Sequence, residues 1–214
     1  IKNGLKKKIF LKNMKTKVAM LAPCKNGSTS IESAWKDQLS DYERKHECKI
    51  KNLYAHDRLN LAKYKKIYLL TRLDHDWYLS GYRMNMTLYA DEFPKPPANF
   101  EQHLLEVKRF YQYAKETAHI EDRTVMFEDW NTQWLSHCAM NSKWLHKYVL
   151  HNSPHVEYVD INNTEKFQST LKKIHPKLKV LHINKTSSAC SKCNREFDEI
   201  EDQTDLVREI INTI

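Results

Sequence analysis

The chain has 214 residues, 41% hydrophobic and 29% charged, ordinary proportions for one globular domain with a real core. No run approaches the roughly 20 apolar residues of a membrane span, and five cysteines at irregular spacing do not read as a secreted disulfide framework. The formal charge of +8 at pH 7 favours an anionic partner: nucleic acid, acidic polysaccharide, anionic lipid or a phosphate-rich small molecule.

The chain starts basic, with "LKKKIFLKNMKTK" at 5–17, and residues 1–15 read as an extension of a single domain spanning 1–214. "TKVAMLA" (16–22) is a compact strand ending at Pro23. Beyond the "KNGSTS" turn, Ile31, Ala34, Trp35, Leu39 and Tyr42 recur at helical spacing. Thr29 followed by Glu32 predicts a capping box at the start of that helix. "CKIKNLYA" predicts a second strand, "KKIYLLTR" (65–72) a third, and the segment from Asp76 to Tyr89 a helix. "FPKPPANF" (93–100) holds three of the six prolines and is a loop. Helices are expected over 100–118 and 132–150, joined at "MFEDWNTQW". "VEYVDI" (156–161) and "LKVLHI" (178–183) read as strands around the helix "TEKFQSTLKKI". The last 15 or so residues form an acidic helix with Leu206, Val207, Ile210 and Ile211 on one face. Strands alternating with helices predict an α/β fold with a central, mainly parallel sheet.

Only three glycines occur, and Gly27 stands between Lys25-Asn26 and Ser28-Thr29-Ser30. Strand, tight turn and hydroxyl-rich helix start suit a phosphate cradle. Unpaired N–H groups and the positive end of the helix dipole face the anion, and Gly27 lets the backbone approach. An ordinary N-capped turn fits the same local features. A nucleotide P-loop carries lysine after its second glycine, whereas here lysine precedes the only one, which argues against a Walker-type site. Cys190-Ser191-Lys192-Cys193 is the one patterned cysteine pair. With no second such pair, and only His182 nearby, it reads as a local disulfide or two thiols, and no metal is assigned.

"CKNGSTSI" resembles the 5′-phosphosulfate loop of sulfotransferases that use 3′-phosphoadenosine 5′-phosphosulfate, usually P-K-x-G-[ST]-[ST]-[ST]. "TRLDHDWYLSGYR" is similar to their 3′-phosphate motif, typically R-D-P-x-x-R-x-x-S-G-Y-R: Arg72 ends a strand, Ser80 follows eight residues on, and Gly81, Tyr82 and Arg83 complete it. The spacing between the motifs resembles the carbohydrate branch, the uronyl 2-O-sulfotransferase type above all. "HINKTS" (182–187) is similar to a loop that closes over the nucleotide, and "EIEDQTDLVREI" to the terminal acidic helix. Two departures stand out: Cys24 replaces the proline before the lysine, and Arg72-Leu73-Asp74 replaces Arg-Asp-Pro.

The resemblance implies a P-loop-type three-layer α/β/α domain that moves a sulfuryl group in line to an acceptor hydroxyl, on a carbohydrate or a small molecule. Its cofactor would be 3′-phosphoadenosine 5′-phosphosulfate, leaving as 3′-phosphoadenosine 5′-phosphate, with no metal, no nucleic acid and no membrane span in this chain. Lys25, Asn26, Gly27, Ser28, Thr29, Ser30, Arg72, Ser80, Lys185 and Thr186 would hold the nucleotide, with Lys25 also meeting charge on the leaving oxygen. His56 falls at the family's base position, with Asp57 its partner or substitute. Asp57, Trp77, Tyr82, Arg83, Trp130, Trp134 and His137 are candidates for the acceptor, although tryptophans at such spacing more often belong to a core. The first residue is Ile1, so the reading is cytoplasmic if that end is near-native and Golgi-lumenal if an anchor preceded it. Two other classes compete: a P-loop kinase-like nucleotide binder, and a non-catalytic polyanion or nucleic-acid binder suggested by a pI of about 9.1.

Overall fold

A computed structural model describes residues 8–53, 63–88, 97–116, 141–150, 153, 155–181, 189–190, 195–196 and 202–214. The chain divides into two compact units, Ile1–Arg72 with Ser142–Asn184, and Leu73–Asn141 with Lys185–Ile214.

The first unit is built on a five-stranded sheet. Its strands are β1 (Lys8–Asn13), β2 (Val18–Ala22), β3 (Cys48–Leu53), β4 (Lys66–Thr71) and β5 (Val156–Asp160), in the order β3-β1-β2-β4-β5. β2, β4 and β5 pair in parallel, while β1 runs antiparallel to both of its neighbours. Four of the five strands therefore point one way, as a mainly parallel α/β sheet requires. The reversed strand is the part of the N-terminal stretch that reads as a basic extension. Within its lysines, Ile9 and Leu11 point to the main core and both are fully buried. The β1–β2 turn is held by Asn13, whose Oδ1 accepts from the Lys15 and Thr16 N–H groups, both at 2.8 Å.

Helix α1 (Ser28–Gln38) follows β2, and the short α2 (Asp41–His46) leads into β3. α5 (Ser142–Leu145) continues into a π-helical turn, His146–Leu150, and α6 (Thr164–Ile174) follows β5. α1 contributes Ile31 and Ala34, and α6 contributes Phe167, Leu171 and Ile174, to one cluster with Ile9, Leu11, Met20, Leu70 and Val159 of the sheet. Leu178 and Val180 are buried in that cluster as irregular backbone. The strand expected over 178–183 is thus not formed at 178–181, where packing against α6 replaces a ladder.

The second unit contains α3 (Asp74–Leu88), α4 (Phe100–Glu116), α7 (Thr204–Thr213) and a two-strand ladder, β6 (Ala189–Cys190) with β7 (Arg195–Glu196). Trp77, Tyr78, Tyr82, Phe100, Phe110 and Tyr111 are all buried. The Tyr78 and Tyr111 hydroxyls are 3.1 Å apart, and Asn141 Nδ2 donates to Tyr78 at 3.0 Å, so the polar tips are satisfied inside an aromatic core. Lys108 of α4 pairs with Glu209 of α7 at 2.5 Å. Among the described residues no helix is long and apolar enough to cross a membrane.

Candidate functional site

The β2–α1 loop holds the sequence-predicted cluster. β2 ends at Ala22, Pro23 and Cys24 are buried, and Asn26 N–H turns back to the Pro23 carbonyl at 3.2 Å. Lys25 has φ 67 and Gly27 has φ 77, with Asn26 between them outside the positive-φ set. Alternation of this kind can turn backbone N–H groups toward one side of a loop, and here the Asn26 N–H is already engaged by Pro23. Gly27 is the N-cap of α1, which has no side-chain cap and no acidic residue in its first turn. The expected Thr29–Glu32 capping box is therefore not what starts α1: the helix begins at Ser28, so Thr29 already lies inside it. The positive field of the N-terminal end is therefore not offset by a side chain of its own first turn. A Cβ added at Gly27 would meet nothing within 4 Å, so open space lies beside the loop among the described residues.

Asn26 anchors the loop. It is fully buried, and its Nδ2 donates to the Leu70 carbonyl at 2.9 Å and to Ser142 Oγ at 3.0 Å. Ser142 Oγ donates to the same carbonyl at 2.7 Å. Leu70 lies in β4 two residues before Arg72, so the triangle ties the end of β2 to the exit of its parallel neighbour. From β2 the chain goes on to β3, toward one edge of the sheet, and from β4 to β5, toward the other. The Lys25–Ser30 loop and Arg72 thus stand at the carboxyl ends of the strands flanking a topological switch point, where open α/β sheets bind ligands. Arg72 Nε and Asn26 Oδ1 are buried with no hydrogen-bond partner among the described residues. Ser28 and Ser30 are also buried, which leaves Thr29 as the exposed hydroxyl of the three.

Ser80, Gly81, Tyr82 and Arg83 lie in α3 of the second unit, where Tyr82 packs on Phe100 and His103 at ring distances of 5.5 and 5.2 Å. Trp77 is buried edge-on to Tyr78, a core position. His56, Asp57, Trp130, Trp134, His137, Lys185, Thr186 and Cys193 lie outside the described residues. Ser142 was not legible in advance, because it meets Asn26 across 116 residues and carries no motif.

A second polar cluster sits where α2 meets the end of α6. His175 Nε2 faces Glu47 at 3.5 Å and Glu43 at 3.9 Å, in an arrangement that could hold a metal ion. Both carboxylates already have partners, Glu43 with Lys177 at 2.7 Å and Glu47 with Lys15 at 2.8 Å. The Lys177 hydrogen bond, followed by those from Ser40, holds Glu43 down at about 2. His175 Nδ1 accepts the Lys177 backbone N–H at 3.4 Å, which puts the ring proton on Nε2 toward the glutamates. A ligating imidazole needs that nitrogen bare, so the cluster reads as an ion-pair lock. Glu43 and Glu47 at helical spacing were visible in the sequence, but His175, over a hundred residues on, was not.

Comparison of the chain with protein-family models, with curated proteins and with solved structures found no match.

Proposed function

We propose that this chain is a sulfotransferase that moves a sulfuryl group from 3′-phosphoadenosine 5′-phosphosulfate to an acceptor hydroxyl of a carbohydrate or small molecule. The observation that carries the reading is the β2–α1 loop. A lysine and a glycine, both at positive φ, lead into an uncapped helix beside the end of the next parallel strand. That geometry favours a doubly charged phosphate group and needs no lysine after the glycine. The finer fold assignment, a P-loop-type three-layer domain, belongs to the same proposal.

In this reading the acceptor oxygen attacks sulfur as the bond from sulfur to the 5′-phosphate oxygen breaks. The leaving bisphosphate takes that bond's electron pair, and Lys25 with the loop N–H groups meets its charge. The acceptor proton passes to His56, which Asp57 orients. Positioning and charge stabilisation carry the catalysis, as in phosphoryl transfer. The sequence motif alone assigns the 3′-phosphate to Arg72 and Ser80, and the nucleotide-covering loop to Lys185 and Thr186.

The test is calorimetric titration of the chain with 3′-phosphoadenosine 5′-phosphate, compared with ATP–Mg²⁺. The bisphosphate is expected to bind and ATP to bind weakly. Lys25→Ala and Arg72→Ala should each weaken the bisphosphate about 10-fold or more, the weight of one charge-assisted hydrogen bond. Equal affinity for ATP would favour the kinase-like reading, and no binding of the bisphosphate would overturn the proposal.

A further inference from the structure

The β2–β4 ladder runs from Val18 opposite Lys66 to Leu21 opposite Leu69, so Leu70 stands one step beyond its last pair. Backbone groups alternate in direction along a strand. The Ile67 N–H and the Thr71 carbonyl bond to His155 and Ile161 on the β5 side. The Leu70 carbonyl therefore turns toward β2, where the ladder has ended. Two side chains take it instead, Asn26 Nδ2 at 2.9 Å and Ser142 Oγ at 2.7 Å. Ser142 opens α5, 72 residues further along the chain than Leu70, and all three residues are buried.

Elementary hydrogen-bond chemistry fixes the direction of each bond. A carbonyl only accepts, so Asn26 turns its amide nitrogen, and not its oxygen, toward Leu70. The Ser142 hydroxyl gives its single proton to the same carbonyl, and its oxygen accepts the second Nδ2 hydrogen at 3.0 Å. Both Asn26 hydrogens are thereby engaged, and the side chain has one orientation. Without the serine hydroxyl, a buried N–H would lose its acceptor and the carbonyl one of its two donors.

That orientation bears on the loop because of what flanks Asn26. Lys25 has φ 67 and Gly27 φ 77. Glycine enters the left-handed region freely, whereas a lysine stays there only where its surroundings over-determine the backbone. Asn26 is the residue that does so, its N–H held by the Pro23 carbonyl at 3.2 Å and its side chain by Leu70 and Ser142. The first bond of α1, from the Ile31 N–H to the Gly27 carbonyl at 3.0 Å, starts one residue later.

We propose that Ser142 is a positioning residue for the β2–α1 loop: acting through Asn26, its hydroxyl holds the loop in the conformation that receives the 5′-phosphate end of the nucleotide. This role rests on the loop being the nucleotide's phosphate site. A serine that merely filled the core would, when replaced, weaken every part of the ligand alike. A positioning serine changes affinity only for the part that the loop contacts.

Calorimetry on the full chain compares 3′-phosphoadenosine 5′-phosphate with adenosine 3′-phosphate, which lacks the 5′ group. Ser142→Ala is expected to weaken the bisphosphate about five-fold, the weight of one neutral hydrogen bond, and to leave adenosine 3′-phosphate unchanged. Ser142→Thr, which keeps the hydroxyl, should restore most of the loss. Asn26→Ala should weaken the bisphosphate by itself, and Ser142→Ala should then add nothing, because the serine acts through that asparagine. In the unliganded chain, hydrogen exchange at the Asn26 amide should speed about five-fold in Ser142→Ala, while Leu69 in the ladder keeps its native protection. Ser142→Cys, of similar shape but a weak donor, gives the same comparison should the alanine variant not fold. A native chain that binds neither nucleotide would remove the sulfotransferase reading, and exchange at Asn26 would still decide whether Ser142 holds the loop. Equal weakening of both nucleotides, additive losses in the double variant, or native exchange at Asn26 in Ser142→Ala would each overturn the role.

Discussion

Gly27 shows how one residue can be forced by backbone conformation alone. Its φ of 77 lies in the left-handed region, yet a Cβ there would touch nothing within 4 Å. Gly27→Ala should therefore cost about 1–2 kcal/mol through the backbone term, while Gly27→Asn, which tolerates that region, should recover most of it. Urea midpoints of the three chains check this, and equal loss in both variants would point to a steric cause instead. The glycine was readable as a turn residue because a left-handed backbone position restricts residue type. Lys25 at φ 67 was not, since nothing in a side chain's chemistry announces a positive φ at lysine. Asn26 was legible as a loop residue but not as an anchor, because its partners, the Leu70 carbonyl and Ser142, come from elsewhere in the chain.

At the scale of elements, long amphipathic segments and apolar strands were legible and short polar ones were not. β2, β4, β5, α1, α3, α4, α6 and α7 all fall where periodicity places them. β1 was hidden because its outward positions are lysines, and six-residue α2 because it buries no residue. α2 nonetheless starts with a capping box of its own, Ser40 and Glu43 satisfying each other's backbone N–H groups, whereas the Thr29–Glu32 box expected at α1 does not form. Periodicity places His103 on the buried face of α4 but says nothing of its protonation. It is fully buried, and desolvation pushes its pKa down to about 3 from an ordinary 6.5. Between those values the unfolded chain holds the proton and the folded chain does not, so stability is lost as pH falls from about 6.5 toward about 3. The loss approaches about 1.4 kcal/mol per pH unit within that window. Denaturant midpoints from pH 7 to pH 4 should fall more steeply for the native chain than for His103→Leu, and parallel curves would show that His103 does not stay neutral in the fold.

At the scale of the whole molecule, the sequence states a net charge of +8 but not where the charge matters. Nor does it announce that residues 142–184 join the first 72 in one unit, because strand pairing such as β4 with β5 links segments through a side-by-side ladder rather than any local pattern. Charge and topology meet at Lys12. The lysines are dispersed along the chain and look like solvated surface until β3 and β1 pair and the turns before β2 and β4 come alongside. Several ion pairs among the described residues, such as Lys36 with Glu32 and Arg109 with Glu106, are exposed pairs within one helix and worth little. Salt weakens those attractions slightly, but it also screens the repulsion of Lys12 by Lys17, Lys51 and Lys63, all of which are exposed. With the Debye length falling from about 10 Å at 0.1 M toward about 3 Å at 1 M, the repulsive term is the larger one removed. The melting temperature of the unliganded chain should therefore rise with sodium chloride, by about 2–4 °C for each kcal/mol of repulsion relieved. Lys49→Glu, which makes the Lys12–Lys49 pair directly opposed across β1 and β3 attractive, should raise the low-salt melting temperature and flatten the salt dependence. A melting temperature that falls with salt in the native chain would mean that the attractive pairs dominate and that the lysine face is not under electrostatic load.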